Sequence, residues 1–234
     1  MTDKERLQRL VAELVSDNGY LTGRRRFPRT VTVEDAVAVA AELQEGVDAG
    51  TAQRDASARS RRITIACGAG CDSCCSMPIM VFLPEALRVA AWLRLPENAE
   101  TLARFEAAYP AWRDACAAVA ELIADATQAQ DREGVVARVL DYWRMRVPCP
   151  FLREGLCSIY PARPNVCRAH HAVDTAANCV PDAPEPSRRM NFVPLDQFVD
   201  RARHIHLGLH HALGGPRQRT VALGQAVHDA LGRG

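Results

Sequence analysis

The stretch CGAGCDSCC, from Cys67 to Cys75, holds four of the chain's nine cysteines. A second stretch, CPFLREGLCSIYPARPNVC at 149–167, supplies three more. Both stretches lack helical periodicity and are broken by glycine or proline, so apolar packing alone would order them poorly. Because thiolates that share a metal ion can hold irregular backbone in place, we expect these two segments to decide the fold together.

The state of these thiols depends on the compartment. The N-terminal stretch MTDKERLQRLVAELVSDNGY alternates acidic and basic residues and lacks the apolar core of a signal peptide. No apolar run approaches the length of a membrane span. We therefore expect a cytoplasmic protein, in which thiols stay reduced. An odd number of cysteines at uneven spacing also favours metal over a disulfide framework.

Charge and motifs narrow the expected partners. The net charge of +1 over 234 residues argues against a nucleic-acid or anionic-membrane partner. The sequence has no Ser-His-Asp, paired-carboxylate or phosphate-binding pattern that would name a reaction, so catalysis stays open. The expected partner is a metal ion or an iron–sulfur cluster, with a protein or peptide as a further partner.

Apolar residues at helical spacing predict a mainly α protein. Helices are expected over about 4–16, 33–58, 84–95, 102–123, 135–143, 195–209 and 221–231. Thr32 is the expected N-cap of the second helix, with Glu34 and Asp35 in its first turn. Pro110 lies inside the 102–123 pattern and is expected to kink or split that helix.

The predicted architecture is a helical framework with two irregular cysteine-rich loops organised by metal. Residues 1–60 are expected to form N-terminal helices and 61–185 the cysteine-cluster metal-binding region. Residues 186–234 are expected to form C-terminal helices packed on the same domain. The nearest feature to a linker is the basic stretch from Arg24 to Arg29.

Eight cysteines are candidate metal ligands. Cys71 and Cys74 form a C-x-x-C pair, a spacing that lets two thiolates reach one ion while backbone N–H groups point at the sulfurs. Cys74 and Cys75 are adjacent, so their side chains point in different directions. Either they serve two metals or two irons of one cluster, or one of them is structural. The candidate set is Cys67, Cys71, Cys74, Cys75, Cys149, Cys157, Cys167 and Cys179.

The second segment is suited to bringing distant thiols together. Pro161 and Pro164 fix φ between two of its cysteines, which lowers the entropy lost when the thiolates converge. Gly155 permits a tight turn with positive φ. All-thiolate sites suit zinc or iron, including a 4Fe-4S cluster, rather than calcium or magnesium. Two zinc ions, or one cluster with spare ligands, both fit the number of thiols.

The motifs of both stretches resemble those of the YkgJ-type cysteine-cluster family, also described as the CxxCxxCC putative zinc- or iron-chelating domain. The family pattern is a cysteine knot, a Glu-Ala helix start, and then CPFL…G.C.IY..RP..CR. The resemblance spans about residues 63–180, with Cys67 standing four residues before Cys71 where the family name implies three. Matching positions are Cys71, Cys74, Cys75, Glu85, Cys149, Pro150, Phe151, Leu152, Gly155, Cys157, Ile159, Tyr160, Arg163, Pro164, Cys167 and Arg168.

This resemblance implies a protein that binds zinc, iron or an iron–sulfur cluster. The chain is also similar to the cysteine-rich part of flagellin lysine N-methylases, which carry an iron–sulfur cluster and use S-adenosylmethionine. The chain is short for that enzyme and shows no convincing Gly-rich nucleotide loop. An iron–sulfur enzyme that modifies a peptide or protein, by methylase-like or redox chemistry, is therefore the alternative function.

Several nearby residues have ordinary structural explanations. Cys116 lies within the 102–123 helical pattern, so a buried, inert thiol is expected. Glu85 is expected to stabilise a helix N-terminus rather than to act as a base. His206 and His210 stand four residues apart without the glutamate of an H-E-x-x-H zinc motif, so a polar helix face is expected.

The roles of other polar residues in the second segment stay open. At most one of His170 and His171 is expected to bind metal, with a solvated or hydrogen-bonded loop histidine as the alternative. Cys179 is either a ligand or a bystander. Arg163 and Arg168 have three candidate roles, which are hydrogen bonding to cluster sulfurs, binding of an anionic substrate and formation of ordinary ion pairs.

Overall fold

The computed structural model describes Glu5, Arg9 and the ranges 31–215 and 220–233. These residues form a mainly α fold, which confirms the predicted fold class. The helix predicted over 4–16 and the basic stretch 24–29 lie outside the described residues, except for Glu5 and Arg9. The described helices are α1 (Val33–Ser60), α2 (Leu83–Leu93), α3 (Ala99–Gln128), α4 (Arg132–Arg144), α5 (Asn165–Ala169), α6 (Val193–Ala212) and α7 (Leu223–Leu231).

Two small antiparallel sheets join parts of the chain that the sequence pattern left irregular. Strand β1 (Met80–Val81) pairs with β4 (Val221–Ala222), which links the segment after the first cysteine stretch to the C-terminal helix. Strands β2 (Leu152–Arg153) and β3 (Leu156–Cys157) form a hairpin inside the second cysteine stretch. Strands of two residues are too short to show a period-2 pattern, so sequence periodicity missed them.

Helix α1 begins where its capping residues predict. The Asp35 N–H donates to Thr32 Oγ1 at 3.1 Å, and the Thr32 N–H donates to Asp35 Oδ2 at 3.0 Å. This reciprocal pair is a capping box, and it satisfies two backbone donors that a helix N-terminus otherwise leaves free. The helix then packs against α2, α5 and α6, so it supports both the core and the segment that carries Cys167.

The main core lies between α2, α3 and α7. Helix α2 is buried along most of its length, and its apolar side chains pack with Phe105 and Trp112 of α3. Phe151, from the second cysteine stretch, enters the same core and is 1% exposed. The cysteine loop is therefore attached to the helical framework by an aromatic side chain as well as by any metal. No helix in the described ranges is long and apolar enough to cross a membrane.

Helix α3 continues through Pro110 instead of splitting there. Pro110 is exposed, so the backbone carbonyl that loses its N–H partner faces the solvent side of the helix, where water can bond it. Tyr109 and Trp112 on the opposite side are buried and hold both halves against the core. Packing on one face thus outweighs the local cost of proline, and a split is ruled out.

The histidine pair of α6 is buried, so the prediction of a polar helix face is wrong for these two residues. His206 and His210 are each 1% exposed. The Leu83 N–H donates to His210 Nδ1 at 3.2 Å, and His206 Nε2 lies 3.2 Å from Asn165 Nδ2. The two rings lie against Phe82, one stacked and one edge-on. Sequence reasoning missed this burial because the polar contacts come from residues more than forty positions away.

This buried histidine makes folding stability depend on pH. Burial lowers the pKa of His206, so below its unfolded value of about 6.5 the unfolded chain binds more protons than the native one. The free energy of unfolding is therefore expected to fall as the pH drops below about 6.5, by at most about 1.4 kcal/mol per pH unit for one histidine. Urea unfolding of the wild type and of His206→Gln between pH 7.5 and 5 measures this slope.

The His206→Gln variant should show the shallower slope because glutamine does not titrate. His204→Gln is the matched control, since His204 lies on the exposed face of the same helix. Burial also lowers the pKa of His170 and His171, so part of the slope should persist in His206→Gln. Equal slopes in the wild type and His206→Gln would contradict the prediction.

Candidate metal centre

The two cysteine stretches meet at the backbone. The Cys149 N–H donates to the Cys75 carbonyl oxygen at 2.7 Å, which joins the start of the second stretch to the end of the first. Cys75 lies in a short 3-10 turn (Ser73–Ser76) that also carries Cys74. Cys149 follows α4 after a short irregular segment, in which Arg146 has φ 55°. The contact brings thiols that are about seventy residues apart in sequence into one neighbourhood.

A tight hairpin presents the next thiol. The Leu152 N–H bonds to the Cys149 carbonyl at 2.9 Å, and β2 then pairs with β3 so that Leu152 faces Cys157. The turn between the strands has Glu154 at φ 48° and Gly155 at φ 77°. Two successive positive φ values are typical of the hairpin turns that match strand twist, and the prediction of positive φ at Gly155 is confirmed.

Backbone N–H groups already point at two of the sulfurs. The Phe151 N–H donates to the sulfur of Cys149, and the Ile159 N–H donates to the sulfur of Cys157. In each case the donor stands two residues after the cysteine. Such hydrogen bonds stabilise the thiolate form and orient it, as N–H donors to the sulfur do around metal-bound cysteine.

Five thiols act on one another electrostatically, and we call them the inner thiol group: Cys74, Cys75, Cys149, Cys157 and Cys167. Burial raises the pKa of Cys149 to about 12, and neighbouring thiolate charge at Cys157 and Cys74 acts in the same direction. Burial also raises the pKa of Cys157 and of Cys167. At neutral pH these three sulfurs are therefore protonated in the metal-free protein.

Cys74 is the exception within this group. A hydrogen bond with the side chain of Cys75 lowers the pKa of Cys74 to about 7, and the positive charge of Arg163 contributes in the same direction. The same hydrogen bond raises the pKa of Cys75. The adjacent pair thus differs chemically, because one sulfur accepts and the other donates. Cys74 is the first of the two to become a thiolate, which is the form that binds metal.

Two arginines border the group, Arg163 in the loop before α5 and Arg168 within α5. The Arg163 guanidinium lies 3.9 Å from the centre of the Tyr160 ring, and its charge favours the thiolate forms of Cys74 and Cys157. Arg168 is buried and plays a different role, since its side chain donates to the carbonyls of Arg163 and Pro161 and pairs with Asp48 of α1. Of the three roles considered for Arg168, the ordinary ion pair is the observed one.

Three further thiols lie beside the first stretch, and we call them the outer thiol group: Cys67, Cys71 and Cys179. The Ala172 N–H donates to Cys67 Sγ at 3.2 Å, next to a β-bridge between Ile65 and Val173. Burial raises the pKa of Cys67, and charge at Cys71, Cys74 and Cys179 adds to that effect. This bridge therefore brings the residues before Cys67 close to those after α5. Charge at Cys74 acts on thiols of both groups.

Other candidates lie apart from these groups or are already occupied. Cys116 is fully buried in the main core, where its thiol bonds with Tyr142, so the predicted buried thiol is confirmed. His171 is hydrogen-bonded through both ring nitrogens, to the backbone of Ala169 and of Met190. The hydrogen-bonded alternative therefore holds for His171.

The sulfur donors of the two groups fit zinc or iron, but their side chains would have to move closer together to bind one ion. In the ranges 31–215 and 220–233, no three His, Cys, Asp or Glu side chains are close enough together to hold a metal ion. The inner sulfurs are nevertheless electrostatic neighbours with N–H donors in place. Binding an ion would therefore require their side chains to move toward one another while the backbone hydrogen bonds orient them.

Sequence reasoning missed one contact of this region. Glu85 was expected to stabilise a helix N-terminus, and its carboxylate does accept the Phe82 N–H at the start of α2. The other carboxylate oxygen accepts the Asn165 N–H at 3.1 Å, at the start of the helix that carries Cys167. The two residues are 80 positions apart, so no local sequence signal marks the bond.

Comparison with known proteins gives one match. The family model described as "CxxCxxCC: Putative zinc- or iron-chelating domain" matches residues 66–186, which is more than half of the chain and includes both thiol groups. No curated protein and no solved structure matches the chain.

Proposed function

This chain belongs to the family described as "CxxCxxCC: Putative zinc- or iron-chelating domain", and from that premise we propose that it binds zinc or iron through the inner thiol group. The observation that carries the proposal is the set of backbone bonds around Cys149. Its N–H bonds to Cys75, and its sulfur accepts the N–H of Phe151. A second sulfur, at Cys157, has an equivalent donor at Ile159.

The chemistry of the inner group supports zinc or iron as the ion. Thiolate sulfur is a soft ligand that selects these metals over calcium and magnesium. A bound ion would supply about four directed bonds that cross-link the two cysteine loops. The chain's own part is to orient the sulfurs by N–H donors and to favour their ionised forms through Arg163. The thiols whose pKa is raised must release their protons as the ion binds.

The number of ions stays a prediction. We propose that the outer thiol group supplies further ligands, since charge at Cys71, Cys74 and Cys179 acts on the Cys67 thiol. The hydrogen bond between Cys74 and Cys75 supports a division of roles within that pair. Cobalt titration of the wild type and of Cys75→Ala tests this. If Cys74 and Cys75 serve two different ions, the wild type should saturate at two cobalt ions per chain. Saturation at one ion per chain in both proteins would contradict this two-metal site.

Finer assignments rest on the sequence motifs. The YkgJ type, the likeness to flagellin lysine N-methylases and a 4Fe-4S cluster stay predictions. So does the alternative function, an iron–sulfur enzyme that modifies a peptide or protein. The absorption spectrum distinguishes a bound zinc ion from an iron–sulfur cluster, because a zinc protein is colourless and an iron–sulfur protein is brown.

Anaerobic purification followed by metal analysis tests the central proposal. We expect zinc or iron to copurify with the chain, or to bind after reconstitution under reducing conditions. A matched preparation of Cys116→Ala should hold the same metal in the same amount, since Cys116 lies in the helical core. If the reduced protein binds neither zinc nor iron, the proposal is wrong.

Metal affinity is expected to rise with pH. Burial raises the pKa of Cys149, Cys157 and Cys167, so each of these thiols enters the site protonated at neutral pH and releases its proton on binding. Lowering the pH by one unit should then weaken the apparent affinity by roughly tenfold for every such thiol that becomes a ligand. Zinc competition titrations at pH 6.5, 7.0 and 7.5 measure the slope. An affinity that does not change over this range would exclude thiolate ligation by these residues.

A further inference from the structure

We propose that Glu85 is a positioning residue for the metal centre, because its buried carboxylate holds the start of α5, and with it Cys167, against the N-terminus of α2. The inference rests on the proposed function, in which Cys167 is a metal ligand. It adds a residue that carries no thiol and binds no metal itself.

The carboxylate of Glu85 joins two helices that are distant in sequence. Its Oε2 accepts the Phe82 N–H at 3.2 Å, which closes the first turn of α2. Its Oε1 accepts the Asn165 N–H at 3.1 Å, which is a free donor at the first position of α5. The side chain is only 5% exposed, so water does not compete strongly for either bond. One carboxylate thus satisfies two helix N-termini at once.

The second of these bonds bears directly on a proposed ligand. Asn165 stands two residues before Cys167 within a single helical turn. The Pro164 carbonyl accepts N–H bonds from both Cys167 and Arg168, at 3.0 and 3.1 Å. Because these short bonds tie the turn together, fixing its first N–H also fixes the direction in which the Cys167 side chain leaves the backbone. Burial raises the pKa of the Cys167 thiol, and the negative charge of Glu85 acts in the same direction.

Helix capping alone does not account for a buried carboxylate at this position. Glutamine serves equally well at the third residue of a capping box, and burying a charged group costs free energy. The two N–H donors bond to different oxygens of Glu85, and a glutamine amide replaces one of those oxygens with an NH₂ group, so it loses the acceptor at one of the two positions. The carboxylate has two oxygens and accepts from both. The bond to Asn165 is therefore what the carboxylate contributes beyond an ordinary cap.

The chain offers a matched control for this distinction. Asp35 occupies the same capping-box position in α1 and accepts the Thr32 N–H. Glu85→Gln and Asp35→Asn each change the carboxylate at the third helical position to an amide, which weakens the hydrogen bond from the N-cap N–H in the same way. Only Glu85→Gln also leaves the N–H of the Cys167 helix without its acceptor.

The first experiment measures zinc affinity by competition titration of the purified, reduced full chain. Glu85→Gln is expected to weaken binding by roughly tenfold to a hundredfold, the effect typical of losing a group that hydrogen-bonds to and orients a metal ligand. Asp35→Asn is expected to keep the wild-type affinity. Wild-type affinity in Glu85→Gln, or an equal loss in both variants, would overturn the proposal.

The second experiment needs no metal and separates this inference from the proposed function. Iodoacetamide is applied to the metal-free protein, and modification of Cys167 is followed by peptide mass spectrometry, with Cys149 as the internal reference. The Cys167 rate is expected to rise in Glu85→Gln and to stay unchanged in Asp35→Asn. Because Glu85→Gln also removes a charge that raises the pKa of Cys167, the rise supports positioning only if Asn165→Pro, which keeps that charge, shows it too. A wild type that binds no zinc, combined with a rise in both variants, would refute the metal function and leave the positioning role standing.

A pair of substitutions at Asn165 covers the case in which Glu85→Gln does not fold. Asn165→Pro removes the backbone donor, and proline is well tolerated at the first position of a helix. Asn165→Ala keeps that donor and removes only the side chain that contacts His206. The Cys167 modification rate should rise more in Asn165→Pro than in Asn165→Ala. Equal rates in the two variants would overturn the proposal.

Discussion

Cys157→Ala is expected to abolish high-affinity metal binding, whereas Cys116→Ala should leave it intact. The sulfur of Cys157 accepts the Ile159 N–H and lies near the charges of Arg163 and Cys74. Cys116 is fully buried in the helical core and bonds with Tyr142. Both substitutions delete one thiol, so a difference between them reports on the site and not on the loss of a cysteine.

The expected size of the effect follows from linkage between binding and folding. A metal present at a thousandfold excess over its dissociation constant stabilises the native state by about 4 kcal/mol. Urea unfolding with and without zinc should show this stabilisation in the wild type and in Cys116→Ala, and should lose it in Cys157→Ala. A zinc-dependent gain of wild-type size in Cys157→Ala would remove Cys157 from the proposed ligand set.

Phe151→Ala is expected to lower the free energy of unfolding of the metal-free protein more than any of the other substitutions proposed for this chain. Phe151 is 1% exposed, and its ring stacks on Phe105 of α3 with centres 4.6 Å apart. Truncating a buried phenylalanine costs about 3–5 kcal/mol, and this stacked pair contributes about 1 kcal/mol within that loss. Because Phe151 attaches the second cysteine stretch to the core, its removal should also loosen the backbone around Cys149.

Chemical denaturation of the metal-free chain measures this loss. Leu156→Ala is the control, since Leu156 lies in the same hairpin and is 55% exposed. Its unfolding free energy should stay within about 0.5 kcal/mol of the wild type, as is usual for surface positions. A similar, small effect in both variants would mean that the loop is not anchored through the aromatic core.

The helices could be predicted because their signals are local. Thr32, Glu34 and Asp35 mark the start of α1 within four residues, and the structure forms the capping box there. Gly155 marks the hairpin turn of the second cysteine stretch by its freedom to adopt positive φ. Cys116 was placed in the core by its position in an apolar helical pattern, and it is buried. Each of these predictions depends on residues that are neighbours along the chain.

The Pro110 region shows where local rules fail. Proline predicts an interruption because it removes one backbone donor and crowds the preceding turn. The flanking aromatic residues Tyr109 and Trp112 pack into the core and keep α3 continuous. Their combined burial is a tertiary quantity, since the partners come from α2 and α7.

Residue types and local spacing were enough to identify the longer described helices, the cap of α1, the thiol motifs and the family of this chain, but not the short helix α5 inside the predicted irregular segment. The bond from Cys149 to Cys75, the burial of His206 and the bond from Glu85 to Asn165 were decided only by the folded arrangement. The reason is physical. The bond from Cys149 to Cys75 joins backbone groups that nearly every residue carries, so side-chain identity does not mark it. Glu85 and His206 use their side chains, but their partners lie 80 and 41 positions away, and only the packing of the helices brings them together.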